Sequence, residues 1–213
     1  MKSAQEVQRL LTSSVVDSAS WAEVEVAYLP AREVGGDFYY CRHTPEGQLI
    51  VVGDVSGKGL RAAMLASVAL GSLRALATSS PAPLLEGLNN ALHGQTGGGF
   101  VTCSAALFRP NGEVSVASAG HPSPYLDGQE VPVEGGLPLG VVANATYEES
   151  TSRGAILLLV SDGVVEAENA QRELFGFERT RELSMNTAPE IAKAARSWGQ
   201  TDDITVVTVR RKA

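Results

Sequence analysis

Cysteine is scarce in this chain: Cys41 and Cys103 are the only two among 213 residues. Two thiols cannot build the disulfide framework of a small secreted fold, and with no secretory leader they read as reduced cysteines. The three histidines, His43, His93 and His121, have no zinc-like spacing. Basic residues are in deficit, 17 Lys and Arg against 24 Asp and Glu, giving a net charge of −7. That balance argues against nucleic acid or an anionic membrane as the main partner. No apolar run approaches the roughly 20 residues of a membrane span. The longest candidate, Leu60 to Leu76, is interrupted by Arg61 and Arg74. Met1 to Glu6 carry no apolar signal core, so the expected location is the cytoplasm.

Several chemical signatures are also missing. There is no Asp-x-Asp phosphatase motif and no Gly-x-Ser-x-Gly nucleophile elbow. The Gly53 to Gly59 loop lacks P-loop spacing, and Asp54 inside it would repel a phosphate. Gly35-Gly36-Asp37-Phe38 lacks the glutamate of the diguanylate cyclase signature. Cys103 and Arg109 have the Cys-x5-Arg spacing of cysteine phosphatases. The residues between them, Ser104 to Phe108, read as a strand and not as a glycine-rich phosphate loop.

What the chain does have is aspartate at the ends of apolar runs. Gly35-Gly36-Asp37, Gly53-Asp54-Val55, Ser161-Asp162-Gly163 and Thr201-Asp202-Asp203-Ile204-Thr205 all follow or adjoin strand-like segments. Aspartate forms strands poorly, and a buried unpaired carboxylate is costly. Carboxylates delivered to one point repel each other unless cations sit among them. Hard oxygen ligands favour Mg²⁺ or Mn²⁺. The pattern therefore predicts a metal-dependent hydrolase with two ions.

At 44% hydrophobic and 19% charged, the composition suits one globular domain with a sizeable core. Val7, Leu10 and Leu11 predict a short amphipathic helix from Ser3 to Val16. We assign residues 1–18 to a switch or linker helix and residues 19–213 to the catalytic domain. Alternation over Glu23–Tyr28 predicts a half-buried strand. Asp37–Cys41 and Leu49–Val52 flank a Thr44–Gly47 turn, as in a hairpin. Met64, Leu65, Val68, Leu73 and Leu76 mark an alanine-rich helix with an apolar stripe. A second helix is expected from Ser80-Pro81 to His93, and further strands over Phe100–Phe108, Glu113–Ser118, Ile156–Val160 and Ile204–Val209. Shorter helices are expected over Glu178–Leu183 and Pro189–Trp198. Hairpin links imply mostly antiparallel sheets, and two sheets face to face would bury helices on both outer sides. The expected class is α+β, a four-layer αββα sandwich.

Taken in order, the motifs resemble a known family. Pro30 to Tyr39, Gly53 to Ala63, Ala119-Gly120-His121-Pro122, Pro138-Leu139-Gly140, Ser161 to Ala167, Phe175-Gly176 and Asp202-Asp203-Ile204-Thr205 are similar to the SpoIIE-like branch of the metal-dependent, type 2C-like serine/threonine protein phosphatases. The resemblance runs from about Gln5 to Val209. It implies the same αββα sandwich, with two Mn²⁺ or Mg²⁺ ions between the sheets. It implies that Asp54 bridges the ions and that the Val55 carbonyl is a further ligand. Asp162 and Asp202 would hold one ion, and Asp37 would act on the other. Asp203 falls where type 2C relatives often have asparagine. Tyr40 stands where an acid is common. The implied reaction is direct attack on phosphorus by water activated between the ions, about 3.5–4 Å apart in such sites. The implied substrate is a phosphoserine or phosphothreonine on a small protein, a STAS-type anti-sigma-factor antagonist of a bacterial partner-switching pathway. The first helix would connect to a regulatory domain or protein. The alternative is a pseudophosphatase that contacts partners without efficient catalysis, and a third reading makes the chain the catalytic end of a longer sensor.

Overall fold

A computed structural model describes residues 16–212. The helix expected from Ser3 therefore lies outside the described residues, apart from Val16, which bridges to Cys41. The chain runs β1 (Ala22–Leu29), β2 (Phe38–Thr44), β3 (Gly47–Val55), α1 (Leu60–Ala75), α2 (Pro81–Leu92), β4 (Val101–Phe108) and β5 (Glu113–Ala119). Four short strands follow: β6 (Tyr125–Leu126), β7 (Gln129–Glu130), β8 (Gly135–Gly136) and β9 (Ser150–Arg153). Then come β10 (Ile156–Val160), α3 (Asp162–Val165), α4 (Gly176–Leu183), α5 (Ala188–Gly199) and β11 (Ile204–Arg211).

Two sheets form. One has the order β1-β11-β10-β6-β7, the other β2-β3-β4-β5-β8, with β9 also paired to β5. All pairings are antiparallel except β5 with β8. The two-residue side-chain period of each strand then divides the core into three. Leu49, Val51, Ala105 and Leu107 face α1 and α2. Ile50, Val52, Ala106 and Phe108 face Leu157, Leu159, Val207 and Val209 of the opposite sheet. Leu158, Val160, Ile204 and Val206 point outward against α3, Phe175 and α5. Strands covered on both faces must be apolar on both, which is why β3 and β10 read as unbroken hydrophobic runs. The result is the four-layer αββα sandwich expected from the sequence.

One expectation holds only in part: of the predicted stripe, Leu73 is buried and Leu65 and Leu76 pack against the core, but Met64 and Val68 are exposed. α1 buries Ala62, Ala63, Ala66, Ala69, Leu70 and Leu73, while Leu60, Met64 and Val68 are exposed. Small alanines let the first turns of the helix lie close on the sheet, Leu70 and Leu73 fill the core further along, and Leu60, Met64 and Val68 are left outside. Both cysteines are free and buried. Burial pushes the Cys41 thiol up to about 12, so it is inert at neutral pH. Among the described residues no helix is long and apolar enough to cross a membrane.

Candidate metal centre

The strand register sets the site. β2 pairs Phe38 with Gly53 and Tyr39 with Val52, so Asp37, just before β2, lies level with Asp54 near the end of β3. From the other sheet, β10 ends at Val160 and α3 starts at Asp162. Ligand oxygens of Asp37, Asp54 and Asp162 come within 4.8 Å of one another. Three of the sequence-predicted acids are thus brought together between the sheets.

Glycines make the approach possible. A Cβ on Gly36 would sit 2.9 Å from the Val55 carbonyl oxygen and 3.0 Å from Asp54 Oδ1. One on Gly35 would collide with Asp203 Oδ2 and Tyr28 Oη, and one on Gly163 with the Asp203 carbonyl. The Gly-Gly-Asp and Ser-Asp-Gly motifs therefore have a steric reason: the space beside each glycine is filled by another motif's backbone or carboxylate.

The electrostatics match a site made for cations. Burial first, and then the Asp54 charge, hold Asp37 well above the usual carboxylate range; the Thr205 and Ser161 hydroxyls oppose this. Asp54 is pushed up to about 7, chiefly by burial and next by Asp162. Asp162 is raised by burial, with Glu166 and Asp202 adding repulsion. Clustered carboxyls with raised proton affinity are groups that a divalent cation would ionise and bind. A further buried oxygen, Tyr28 Oη, has no hydrogen-bond partner among the described residues, and the Asp203, Asp37 and Asp54 charges act on it. The donor set is all oxygen and suits Mg²⁺ or Mn²⁺.

The remaining predicted residues are placed differently. Asp202 is half exposed and pairs with Lys58, Nζ to Oδ2 at 3.0 Å. It stays close enough to raise the proton affinity of both Asp54 and Asp162. Asp203 is buried and accepts the Ala31 amide on Oδ1 and the Gly36 amide on Oδ2, both at 2.8 Å. Tyr40 packs with Phe38 on the helix side of β2, and the Arg42 guanidinium lies over its ring at 5.9 Å. An acid at position 40 would thus point away from Asp37. His121 is buried, with Nδ1 at 2.9 Å from Thr102 Oγ1, and Thr102 stands directly across the strand pair from Asp54.

Sequence reasoning missed four contributors. Thr205 Oγ1 donates to Asp37 Oδ2, and the Ser161 hydroxyl accepts the Thr205 amide. Arg32 and Lys58 line a narrow cleft with Gly36 and Asp202. The Thr two places after Asp203, on the same strand face, was the readable signal for the first. Nothing in the residue order marks Lys58 as the partner of Asp202.

A two-sheet sandwich with helices outside and a carboxylate cluster between the sheets defines a metal-dependent protein phosphatase of the type 2C class. The comparisons agree. The model of the family "Stage II sporulation protein E (SpoIIE)" matches residues 44–212, and the chain belongs to that family. It is 26% identical to the phosphoserine phosphatase RsbU of Bacillus subtilis (strain 168) over 231 residues, covering 98% of this chain and 69% of RsbU. Among solved structures it resembles the SiaA-PP2C domain of Pseudomonas aeruginosa, with a TM-score of 0.79 and 23% identity over 98% of this chain and 94% of that one. It also resembles RsbX in complex with magnesium, with a TM-score of 0.69 and 15% identity over 92% and 98% of the two chains. The chain is a metal-dependent protein serine/threonine phosphatase.

Proposed function

We propose that the protein hydrolyses phosphoserine or phosphothreonine on a small regulatory protein of the STAS type, within a partner-switching pathway, and uses two Mn²⁺ or Mg²⁺ ions. The observation that carries the metal-centred part is the convergence of Asp37, Asp54 and Asp162 within 4.8 Å. The match to a phosphoserine phosphatase supports the substrate class. In this reading Asp54 would serve both ions and the Val55 carbonyl would be a further ligand, Asp162 and Asp202 would hold one ion, and Asp37 would act on the other. Bound there, two ions would supply a deprotonated water at neutral pH and offset charge on the phosphoryl oxygens. Thr205 donates to Asp37 Oδ2, which favours the ionised carboxylate against burial and fixes its orientation. Asp203 uses both oxygens on backbone amides, so we assign it to shaping the Ala31–Gly36 loop and not to ligation. Lys58 and Arg32 stand where an anionic phosphate would enter. Residues 1–18 are the segment through which we expect a regulatory domain or protein to act.

The test is release of phosphate from a phosphorylated STAS-domain protein and from phosphoserine peptides with Mn²⁺. Activity should vanish in EDTA and in Asp54→Ala. Turnover that survives either treatment would overturn the reading.

A further inference from the structure

α1 is turned inside out relative to an ordinary surface helix. Leu60, Met64 and Val68, at i, i+4 and i+8, are 58%, 61% and 46% exposed, while four alanines form most of the buried side. Large apolar residues left outward in one row, on a helix that already buries Leu70 and Leu73 on its other side, mark a face suited to a partner. The row borders a groove of about 520 Å³ that it shares with Arg61, Leu65 and Thr96. Arg61, Leu65 and Thr96 also line a second cavity of about 270 Å³, whose other walls include Ser56 and Lys58. The two spaces share these three residues and adjoin at Arg61, and we call them together the channel. Its inner end is lined by Val55 and Ser56, next in sequence to Asp54, and its outer end by Leu60, Met64 and Val68 of α1.

The inner half of the channel is cationic. Arg61 reaches across it, with Nη2 donating to the Thr96 carbonyl at 3.1 Å and the Gly97 carbonyl at 2.8 Å. Gly97 has a positive φ of 57°, and a Cβ there would collide with the same Nη2. The glycine-rich loop is thus shaped around the guanidinium, which keeps further N–H donors free of these two bonds. Lys58 stands at the cavity's other side. α1 carries Arg61 and Arg74 and no acid, and no side chain caps its N-terminus, in a chain whose net charge is −7.

We propose that this channel binds the polypeptide flanking the phosphorylated residue of the substrate protein. An acidic side chain next to the phosphoserine or phosphothreonine would sit between Lys58 and Arg61. Leucine-like side chains beyond it would lie on Leu60, Met64 and Val68. The occupant is the substrate because the channel opens from the metal loop itself and because its charge is opposite to that of an acidic segment. This inference rests on the phosphatase reading and adds the flanking chemistry that the enzyme selects.

The test compares phosphoserine peptides on the full chain with Mn²⁺. In one set Glu and then Leu flank the phosphoserine, on either side in separate peptides. In the other, Lys and Ser replace them. para-Nitrophenyl phosphate, which has no flanking chain, is the reference. The wild type should favour an acidic–apolar peptide at least tenfold in kcat/KM. Met64→Glu, at an exposed helix position that should fold normally, should lower the ratio of peptide to para-nitrophenyl phosphate kcat/KM by a similar factor, mainly through KM. Equal use of both peptide sets would overturn the inference. So would a ratio unchanged in Met64→Glu, or a change in sedimentation from dimer to monomer without a change in ratio, which would assign the face to a second copy. Failure to hydrolyse any peptide or para-nitrophenyl phosphate would overturn the phosphatase reading instead.

Discussion

Thr205 on β11 donates its hydroxyl to Asp37 Oδ2 at 2.5 Å, and this bond joins one sheet to the other at the floor of the acidic cluster. It is a charge-assisted bond when Asp37 is ionised, so it lowers the proton affinity that burial raises. Thr205→Val keeps the shape and removes the donor. Mn²⁺ affinity measured by calorimetry should fall about tenfold, in line with the loss of a supporting contact around a metal ligand. Thr205→Ser should restore most of it.

Asp54 stands in a different balance. Its carboxylate is repelled by Asp162, Asp202 and Asp203 and is partly desolvated, so the metal-free fold carries it at a cost. Asp54→Asn should abolish Mn²⁺-dependent hydrolysis. It should also raise the melting temperature of the metal-free protein by about 2–4 °C, the size expected from roughly 1 kcal/mol in a domain of this length. Differential scanning calorimetry in EDTA reads this directly.

The same carboxyl sets a pH dependence. The folded pKa of Asp54 is raised to about 7 from 3.8, so the folded state binds more protons across that window. Its stabilising contribution is complete below the unfolded value and is lost as pH rises through about 7. His121 acts oppositely. Burial lowers it to about 3 from 6.5, so its contribution is present above 6.5 and is lost as pH falls toward 3. Metal-free protein should therefore become more stable on going from about pH 8 to pH 6.5; below that the Asp54 gain continues toward about pH 4 while the His121 loss opposes it, so these two groups should level the curve. Mn²⁺ should reverse the upper limb, because binding displaces the proton. Asp54→Asn should flatten the limb above pH 6.5 in thermal scans.

Asp203 gives a fourth expectation. Removing its side chain leaves the buried amide of Gly36 and the part-exposed amide of Ala31 without their acceptor. Asp203→Ala should destabilise the fold by about 1–3 kcal/mol, the usual cost of one unsatisfied buried group, since water can reach the Ala31 amide. Asp203→Asn, which keeps one carbonyl acceptor, should cost about half as much. Urea unfolding in EDTA separates this effect from any change in metal binding.

How much was legible in the sequence can be argued from these same residues. The strands ending at Asp54 and Asp162 were readable because apolar runs stop abruptly at a carboxylate, and the four layers followed from hairpin-linked strands and two helical blocks that two facing sheets would bury. The facing of α1 was not, since hydropathy ranks Met64 and Val68 above alanine and says nothing of how closely a helix approaches its sheet. The role of Asp203 was hidden for a related reason. Adjacent aspartates look equivalent in a motif, yet they fall on opposite sides of the chain: Asp202 turns to Lys58 in solvent, and Asp203 turns inward to the Ala31–Gly36 loop. Tyr40 drew attention as a missing acid. Strand alternation already put it on the face opposite Asp37, had the period been counted from the aspartate.

β11 lies between β1 and β10, yet it follows both in the chain and is the last of the described strands. A chain emerging from the ribosome displays Asp37 and Asp54 long before Asp162, and it acquires Asp203 and Thr205 only when the gap between β1 and β10 can be filled. Until then the first loop has no anchor for its Ala31 and Gly36 amides. The acidic cluster is thus complete only once β11 has been inserted between β1 and β10, so its assembly depends on pairing strands far apart in the chain.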